Sequence, residues 1–341
     1  MNIEEFDYDL PRELIAQTPA ETREASRLLV LHRSTGDLDD RVFVDLPRLL
    51  RAGDCVVVND SRVLHARVLA EDDMGRPVEL LFVEPIDDHA WRALVRPGRR
   101  CRPGAHLRAG GVRLRVMGSD ADGTRMIARE QGTITALLNA QGLPPLPPYI
   151  ERHAKPAPED WERYQTVYAA APGSVAAPTA GLHFTTAMLD TLRAAGADVH
   201  AITLHVGPAT FRPVTAPNVE EHRLPPERAS VGEAAAQAIN RARDEGRRVV
   251  AVGTTTVRTL ESAADAAGRL QPFDGVAALT IRPGHRFRVV GALLTNFHLP
   301  RSSLLLLVAA FAGRKPVLAA YRHAVAARYR FYSYGDAMLI I

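Results

Sequence analysis

The sequence predicts an α/β protein, a larger mixed-sheet domain with a small all-β barrel inserted near its N-terminal end. Three observations carry that expectation. Beyond residue 158, β-type and helix-period runs alternate, the order of a mostly parallel or mixed sheet with helices packed on it. Between residues 63 and 129, short β-type runs follow one another with turn signals between them and no helix-period segment. The proline-rich stretch LPPLPPYIERHAKPAP, residues 143–158, marks the return to the larger domain. The expected division is a discontinuous α/β domain, 1–62 with 143–341, and an inserted barrel domain, 63–142.

In chain order, DYDLPRELIAQTP reads as a loop and a short helix starting around Pro11, since proline suits a first helical position. SRLLVLHRSTGDL reads as a strand followed by a tight Ser-Thr-Gly-Asp turn. Residues 46–50 form a short helix before the buried run CVVVND. The barrel strands are VLHARVLAED, PVELLFVE, AWRALVR, VRLRVMG and TRMIARE, divided by Asp-Asp, Arg-Pro-Gly and Gly-Gly turns. In APTAGLHFT, residues 177–185, Pro178 and Gly181 forbid a regular helix. Thr185 then caps TAMLDTLRAAG, with Met188, Leu189 and Leu192 at helical spacing and Gly196 to end it. His183 therefore sits on a braced turn beside a helix N-terminus. VHAITLHVG, RRVVAVG, VAALTIRPG and GALLTNFHL follow as strands. EAAAQAINRARDEG, TVRTLESAADAAG, SSLLLLVAAFAG and PVLAAYRHAVAARY are the accompanying helices.

At 341 residues and 46% hydrophobic, the chain can bury a large core. Its longest apolar run, LLLLVAAFA, is too short for a membrane span and fits a buried helix. The acidic start MNIEEFDYDLP lacks the order of a secretory signal, and Cys55 and Cys101 have no metal-like spacing, so a reduced, cytoplasmic protein is expected, monomer favoured. A net charge of +3 permits a nucleic-acid partner without requiring one. The positive charge is almost all arginine, the lysines being Lys155 and Lys315.

Open α/β sheets bind ligands in loops beyond the carboxyl ends of strands. Three such loops are unusual here: TLHVGPATF with His205, Gly207 and Pro208; VGTTTVRTLES with Gly253 and Thr254, Thr255 and Thr256; and TNFHLPRSSLL with Asn296 and His298. Polar groups at strand ends are costly if buried unpaired, so they bond one another or face a ligand. Metal binding fits poorly, because HxH and HExxH spacings are absent and no carboxylate adjoins His183, His205 or His298. No GxSxG elbow supports a serine triad, and no GxGxxG or P-loop supports a dinucleotide or P-loop site.

GSVAAPTAGLHFT, TLHVGPATF, VGTTTVRTLES, LLTNFHLPRSSLL and YRFYSYGDAMLI resemble the signature blocks of the S-adenosylmethionine:tRNA ribosyltransferase-isomerase family of queuosine biosynthesis. The resemblance extends through LPRELIAQTP, SRLLVL, VVNDSRV, PPYIER and YQTVYA, and so covers essentially the whole chain in order. It implies an α/β domain with an inserted β-barrel. It also implies transfer of the ribosyl portion of S-adenosylmethionine to the 7-aminomethyl-7-deazaguanine base of tRNA. The ribosyl unit isomerises to give epoxyqueuosine, with release of adenine and methionine and no metal requirement.

That chemistry suits these residues. A sulfonium acidifies protons on the neighbouring carbon, and a neutral imidazole is a base near its operating pH. The expected catalytic group is His183, His205 and His298 converging on one pocket, with Asp336 as orienter and His183 the first choice for the base. Thr179, Gly181, Gly207, Thr254, Thr255, Thr256 and Asn296 are expected around the substrate. Arg258 is placed for the methionine carboxylate or a phosphate, a salt bridge to Glu261 being the alternative. Phe184, Phe211 and Phe297 are placed near the sulfonium, core packing being the alternative. Arg96, Arg99, Arg100, Arg102 and Arg108 crowd one turn-rich part of the barrel and are expected to contact tRNA, with Arg282, Arg286 and Arg288 the alternative surface. Departures from the family pattern are HRLPPE, where Leu224 and Pro225 replace a methionine and a histidine, and Ala209, His65 and Gly291. They motivate a second reading, a paralogue acting on another acceptor such as a small deazapurine. A third is an RNA-binding homologue without catalysis.

Overall fold

Strands whose side chains are apolar on both faces organise the molecule, and helices cover both faces in turn. A computed structural model describes residues 1–152, 156–208 and 214–341. The first strands are β1 (Arg27–Leu31), β2 (Leu38–Val42), β3 (Cys55–Asn59) and the short β4 (Ser61–Val63). Then come β5 (Arg67–Asp72), β6 (Pro77–Pro85), β7 (Ala90–Arg96), β8 (His106–Ala109), β9 (Val112–Ser119) and β10 (Arg125–Arg129). The remainder are β11 (Ala171–Ser174), β12 (Asp198–Leu204), β13 (Glu227–Val231), β14 (Val249–Val252), β15 (Phe273–Ala277), β16 (Ala292–Asn296) and β17 (Ala337–Ile340).

One nine-stranded mixed sheet has the order β15-β13-β12-β3-β14-β16-β17-β1-β2. In β1, Leu29 and Leu31 pack into the cluster with helices Glu233–Asp244, Ser303–Ala312 and Arg314–Ala326. Leu28 and Val30 point the other way, onto Met188, Leu189 and Leu192 of helix Thr186–Ala194. Each such side chain contributes ~1.5–3 kcal/mol on burial. The apolar run in helix Ser303–Ala312 is core, and no single helix among the described residues is long and apolar enough to cross a membrane.

β5 to β10 close a barrel in the order β10-β7-β6-β5-β8-β9, all pairs antiparallel. Alternate residues point inward, so Val68, Leu80, Phe82, Leu107, Leu114 and Ile127 form its core. Helix Ile134–Gln141 packs Ile134, Leu137 and Leu138 into the same core, with Thr133 as its cap.

Several elements depart from the sequence expectation. β2, β4, β8, β11, β13, β17 and helices Ile134–Gln141 and Asp160–Arg163 are additional to it, and β15 ends at Ala277 rather than continuing through LTIRPG. The additional strands are three to five residues long, too short for a period to show, and they are held by their ladder partners. The expected N-cap is present: Thr185 Oγ1 accepts from Met188 N at 3.1 Å, and Gly196 follows the helix at φ +88°.

Strand direction decides what meets at the working edge of the sheet. β12, β3, β14 and β16 are parallel, so their carboxyl ends lie together. β13 and β17 are antiparallel to their neighbours β12 and β16, and β1 is parallel to β17. Their N-terminal ends therefore reach the same edge. That edge gathers Ser26, Asn59, His205, Glu227, Gly253, Asn296 and Asp336.

Candidate active site

At this edge, Gly253 turns β14 into helix Thr254–Ala263 with φ +89°, a conformation costly to any residue with a Cβ. No side chain caps the helix, so its first-turn N–H groups are open to a ligand. They face a cleft lined by Tyr149, Thr179, Thr254, Thr255, Thr295, Asn296, His298, Tyr332 and Ser333, with Ala177, Pro178, Val206 and Leu299 as apolar wall.

His298 is rigidly held. Its N–H donates to Tyr321 Oη at 3.1 Å, its carbonyl accepts from Tyr8 Oη at 2.5 Å, and its Nε2 lies 2.8 Å from Thr295 Oγ1. Nδ1 has no hydrogen-bond partner among the described residues. Burial lowers the imidazole pKa to about 3, so the ring is neutral at pH 7. Asn296 donates through Nδ2 to Tyr332 O at 3.1 Å, and its buried Oδ1 has no partner among the described residues. The Tyr332 hydroxyl is buried and unpartnered too. Tyr332 also holds φ +74°, strained for a non-glycine residue, and its ring centroid is 4.1 Å from that of Tyr149. Asn296 Oδ1 and Tyr332 Oη are therefore buried polar atoms open to a further hydrogen bond, set in a wall that carries a strained residue.

The three imidazoles do not share this cleft. His183 stands behind it, with Nδ1 2.7 Å from Ser26 Oγ, Nε2 3.2 Å from Asn296 Nδ2, and the ring stacked on Phe43. Both ring nitrogens are engaged, and burial together with Arg23, Arg163 and Arg330 lowers its pKa to about 3. His205 lies to one side, its Nδ1 3.0 Å from Ser61 Oγ and its ring beneath Gly173, where a Cβ would come within 2.7 Å of Nδ1. Burial, then Arg228, lowers its pKa.

Asp336 bonds no imidazole among the described residues. Its carboxylate accepts from the N–H groups of Arg27 and Arg330 at 2.8 and 2.7 Å, tying the starts of β1 and β17, and burial raises its pKa. Thr256 is turned away, donating to Val252 O at 2.7 Å, whereas Thr255 Oγ1 accepts from Asn59 Nδ2 at 3.2 Å. Gly181 leaves room for Tyr168, whose Oη would be 2.0 Å from an added Cβ. Gly207 donates its N–H to Glu227 at 2.7 Å.

Arg258 is buried against Glu227 and donates to the carbonyls of Ala277, Pro225 and Leu279 at 3.1, 3.3 and 3.2 Å, so it neither lines the cleft nor pairs with Glu261. Glu261 instead accepts from the N–H groups of Arg288, Val289 and Val290. Phe184 is core beside Phe43. Phe297 packs on Tyr321, Tyr329 and Phe331 at the base of the cleft, fully buried. Phe211 and Ala209 lie outside the described residues. Sequence reasoning missed Tyr149, Tyr332, Ser26 and Asn59 as site residues. Their only signal was membership of the blocks PPYIER, FYSYGD, SRLLVL and VVNDSRV.

Comparison with known proteins gives this geometry a family. A family model described as queuosine biosynthesis protein matches residues 3–340. The S-adenosylmethionine:tRNA ribosyltransferase-isomerases of Symbiobacterium thermophilum and Moorella thermoacetica are 50% and 51% identical to the chain, with all of both chains covered in each case. A crystal structure of S-adenosylmethionine tRNA ribosyltransferase from Thermotoga maritima is 37% identical, with a TM-score of 0.57 over 99% of this chain and 100% of that one. Matched from end to end by the family model and by relatives at half identity, the chain belongs to the queuosine biosynthesis protein family.

Proposed function

We propose that this chain transfers and isomerises the ribosyl portion of S-adenosylmethionine onto the 7-aminomethyl-7-deazaguanine base of tRNA, giving epoxyqueuosine and releasing adenine and methionine. The observation that carries this reading is a neutral imidazole, His298, in a cleft where its Nδ1, Asn296 Oδ1 and Tyr332 Oη have no hydrogen-bond partner among the described residues. If Nε2–H donates to Thr295 Oγ1, Nδ1 presents its lone pair to the cleft. It then removes a proton from the carbon beside the sulfonium and later returns one to departing adenine. The first-turn N–H groups of helix Thr254–Ala263 hold the methionine carboxylate. Asn296 Oδ1, Tyr332 Oη and Thr179 take ribose hydroxyls, and the Tyr149 and Tyr332 rings face the cation. His183 and Asp336 position this wall from behind.

The substitutions Leu224 and Pro225 favour no different acceptor. Leu224 N–H bonds Thr280 Oγ1 and the Pro225 carbonyl bonds Arg258, and neither residue lines the cleft. The relatives' names fit a tRNA acceptor. We take the working unit to be a monomer, with residues 63–142 as a distinct barrel domain. We place the activity in the cytoplasm and assign it no metal. For tRNA contact, Arg96, Arg99 and Arg102 are exposed on the barrel, whereas Arg100 is tied to Pro77 O and Arg108 lies 3.6 Å from Glu71.

The test is incubation with S-adenosylmethionine and precursor-bearing tRNA, followed by nucleoside mass spectrometry. Epoxyqueuosine with stoichiometric adenine is expected. Its absence, with product formed on the free deazapurine, would overturn the tRNA reading.

A further inference from the structure

A second cavity adjoins the cleft, lined by Arg23, Ser26, Arg163, His183, Ser333 and Tyr334. The two share a wall: Ser333 faces both, and the His183 ring reaches Asn296 of the cleft at 3.2 Å. Arg23 donates to the carbonyls of Leu182 and Glu162, each at 3.0 Å. Arg163 donates to those of Glu21 and Ala20 at 3.2 and 2.9 Å. Nearby, Arg330 donates to Thr18 O. Carbonyls fix the guanidinium planes without cancelling their charge. Among the described residues none of the three arginines forms an ion pair. The counter-charges they feel are Glu162 on Arg23, and Asp336, whose pKa Arg330 lowers. Arg163 in turn acts on Arg23 as a like charge.

Part-buried like charges held together by neutral partners are costly, and an anion between them removes the cost. Each guanidinium keeps its Nε–H and one N–H on each terminal nitrogen, the fork that matches a phosphate. The fork is also preset. Asp160 takes Arg152 at 2.8 and 3.0 Å and Tyr334 Oη at 2.9 Å, which fixes the short helix Asp160–Arg163 that carries Arg163.

We propose that this cavity binds a backbone phosphate of the RNA substrate, the one flanking the nucleotide whose base enters the cleft, with Arg23 and Arg163 as its ligands. The proposal rests on tRNA being the acceptor. Methionine's carboxylate has its own donors at helix Thr254–Ala263, so this charge is not needed for the small substrate.

Arg23→Gln and Arg163→Gln keep an amide to hold the carbonyls and remove the charge. Binding of a precursor-bearing anticodon stem-loop is read by fluorescence anisotropy across a salt series. Each variant should bind on the order of tenfold more weakly, with the log–log salt slope reduced by about one, and S-adenosylmethionine affinity unchanged. A stem-loop with a neutral methylphosphonate at that linkage should weaken wild-type binding to the same extent and leave the variants no more to lose. Variants that bind the native stem-loop with wild-type affinity and slope overturn the subsite alone. Additive losses from variant and methylphosphonate do so too. A wild-type protein that does not bind the stem-loop overturns the subsite and the proposed function together. Should a glutamine variant fail to fold, Arg163→Lys replaces it, keeping the salt slope while losing the two-pronged fork.

Discussion

Nδ2 of Asn296 lies 3.2 Å from Nε2 of His183, and the same carboxamide leaves its Oδ1 without a partner among the described residues. The contact makes His183 a support behind the Asn296 wall of the cleft. On the proposed function, the base is then His298. His298→Ala should therefore cut turnover by about 10²- to 10⁴-fold with S-adenosylmethionine binding retained. His183→Ala should weaken S-adenosylmethionine binding as Asn296 loses its support. Single-turnover rates and calorimetric titration separate the two, and near-normal turnover in His298→Ala would remove it as the base.

Asn296 Oδ1 is buried without a donor among the described residues. Asn296→Leu should weaken S-adenosylmethionine binding by ~1–3 kcal/mol. Equilibrium titration measures this, with thermal melting as the control for the lost Tyr332 bond. Unaltered affinity would show that the ligand does not reach this atom.

Arg258 and Glu227 form a buried pair, so removing one partner strands a charge. Glu227→Gln or Arg258→Met should cost ~3–5 kcal/mol in urea unfolding, and the double variant less than the sum. A stable Arg258→Met protein with selectively lost substrate affinity would return Arg258 to the binding set.

Besides His65, His205 and His222, whose pKa burial also lowers, two fully buried histidines, His183 and His298, contribute to the acid response. Both have folded pKa values of about 3 against an ordinary 6.5, so the unfolded chain binds more protons between those limits. Stability is then level above about pH 6.5 and falls as pH drops below it, by up to about 1.4 kcal/mol per pH unit for each histidine. His183→Gln should flatten the slope of melting temperature against pH between 6.5 and 5. A slope equal to wild type would place the acid response elsewhere.

A base already neutral at pH 6 also predicts the rate profile. The single-turnover rate should show no acid limb near pH 6.5. A limb there would point to a histidine of ordinary pKa, and so away from His298.

By itself the sequence determined the layers. CVVV, VVAV and ALL are unbroken apolar runs, so they had to be strands covered on both faces. The turn-separated runs after residue 63 had no helical period and so had to pair with one another. Thr185 and Gly196 bounded their helix because capping is local chemistry. Which side chains meet at the cleft was decided only by the tertiary structure. Ser26 and His183 are 157 residues apart, and Asn296 and His183 are 113 apart. These pairs meet because β1 and β17 run against β16 and return their N-terminal ends to its carboxyl edge. The direction of a strand within a sheet leaves no mark on its own residues. For the same reason three histidines in similar turns looked alike in the sequence, while one faces the cleft, one supports its wall and one lies beside Ser61.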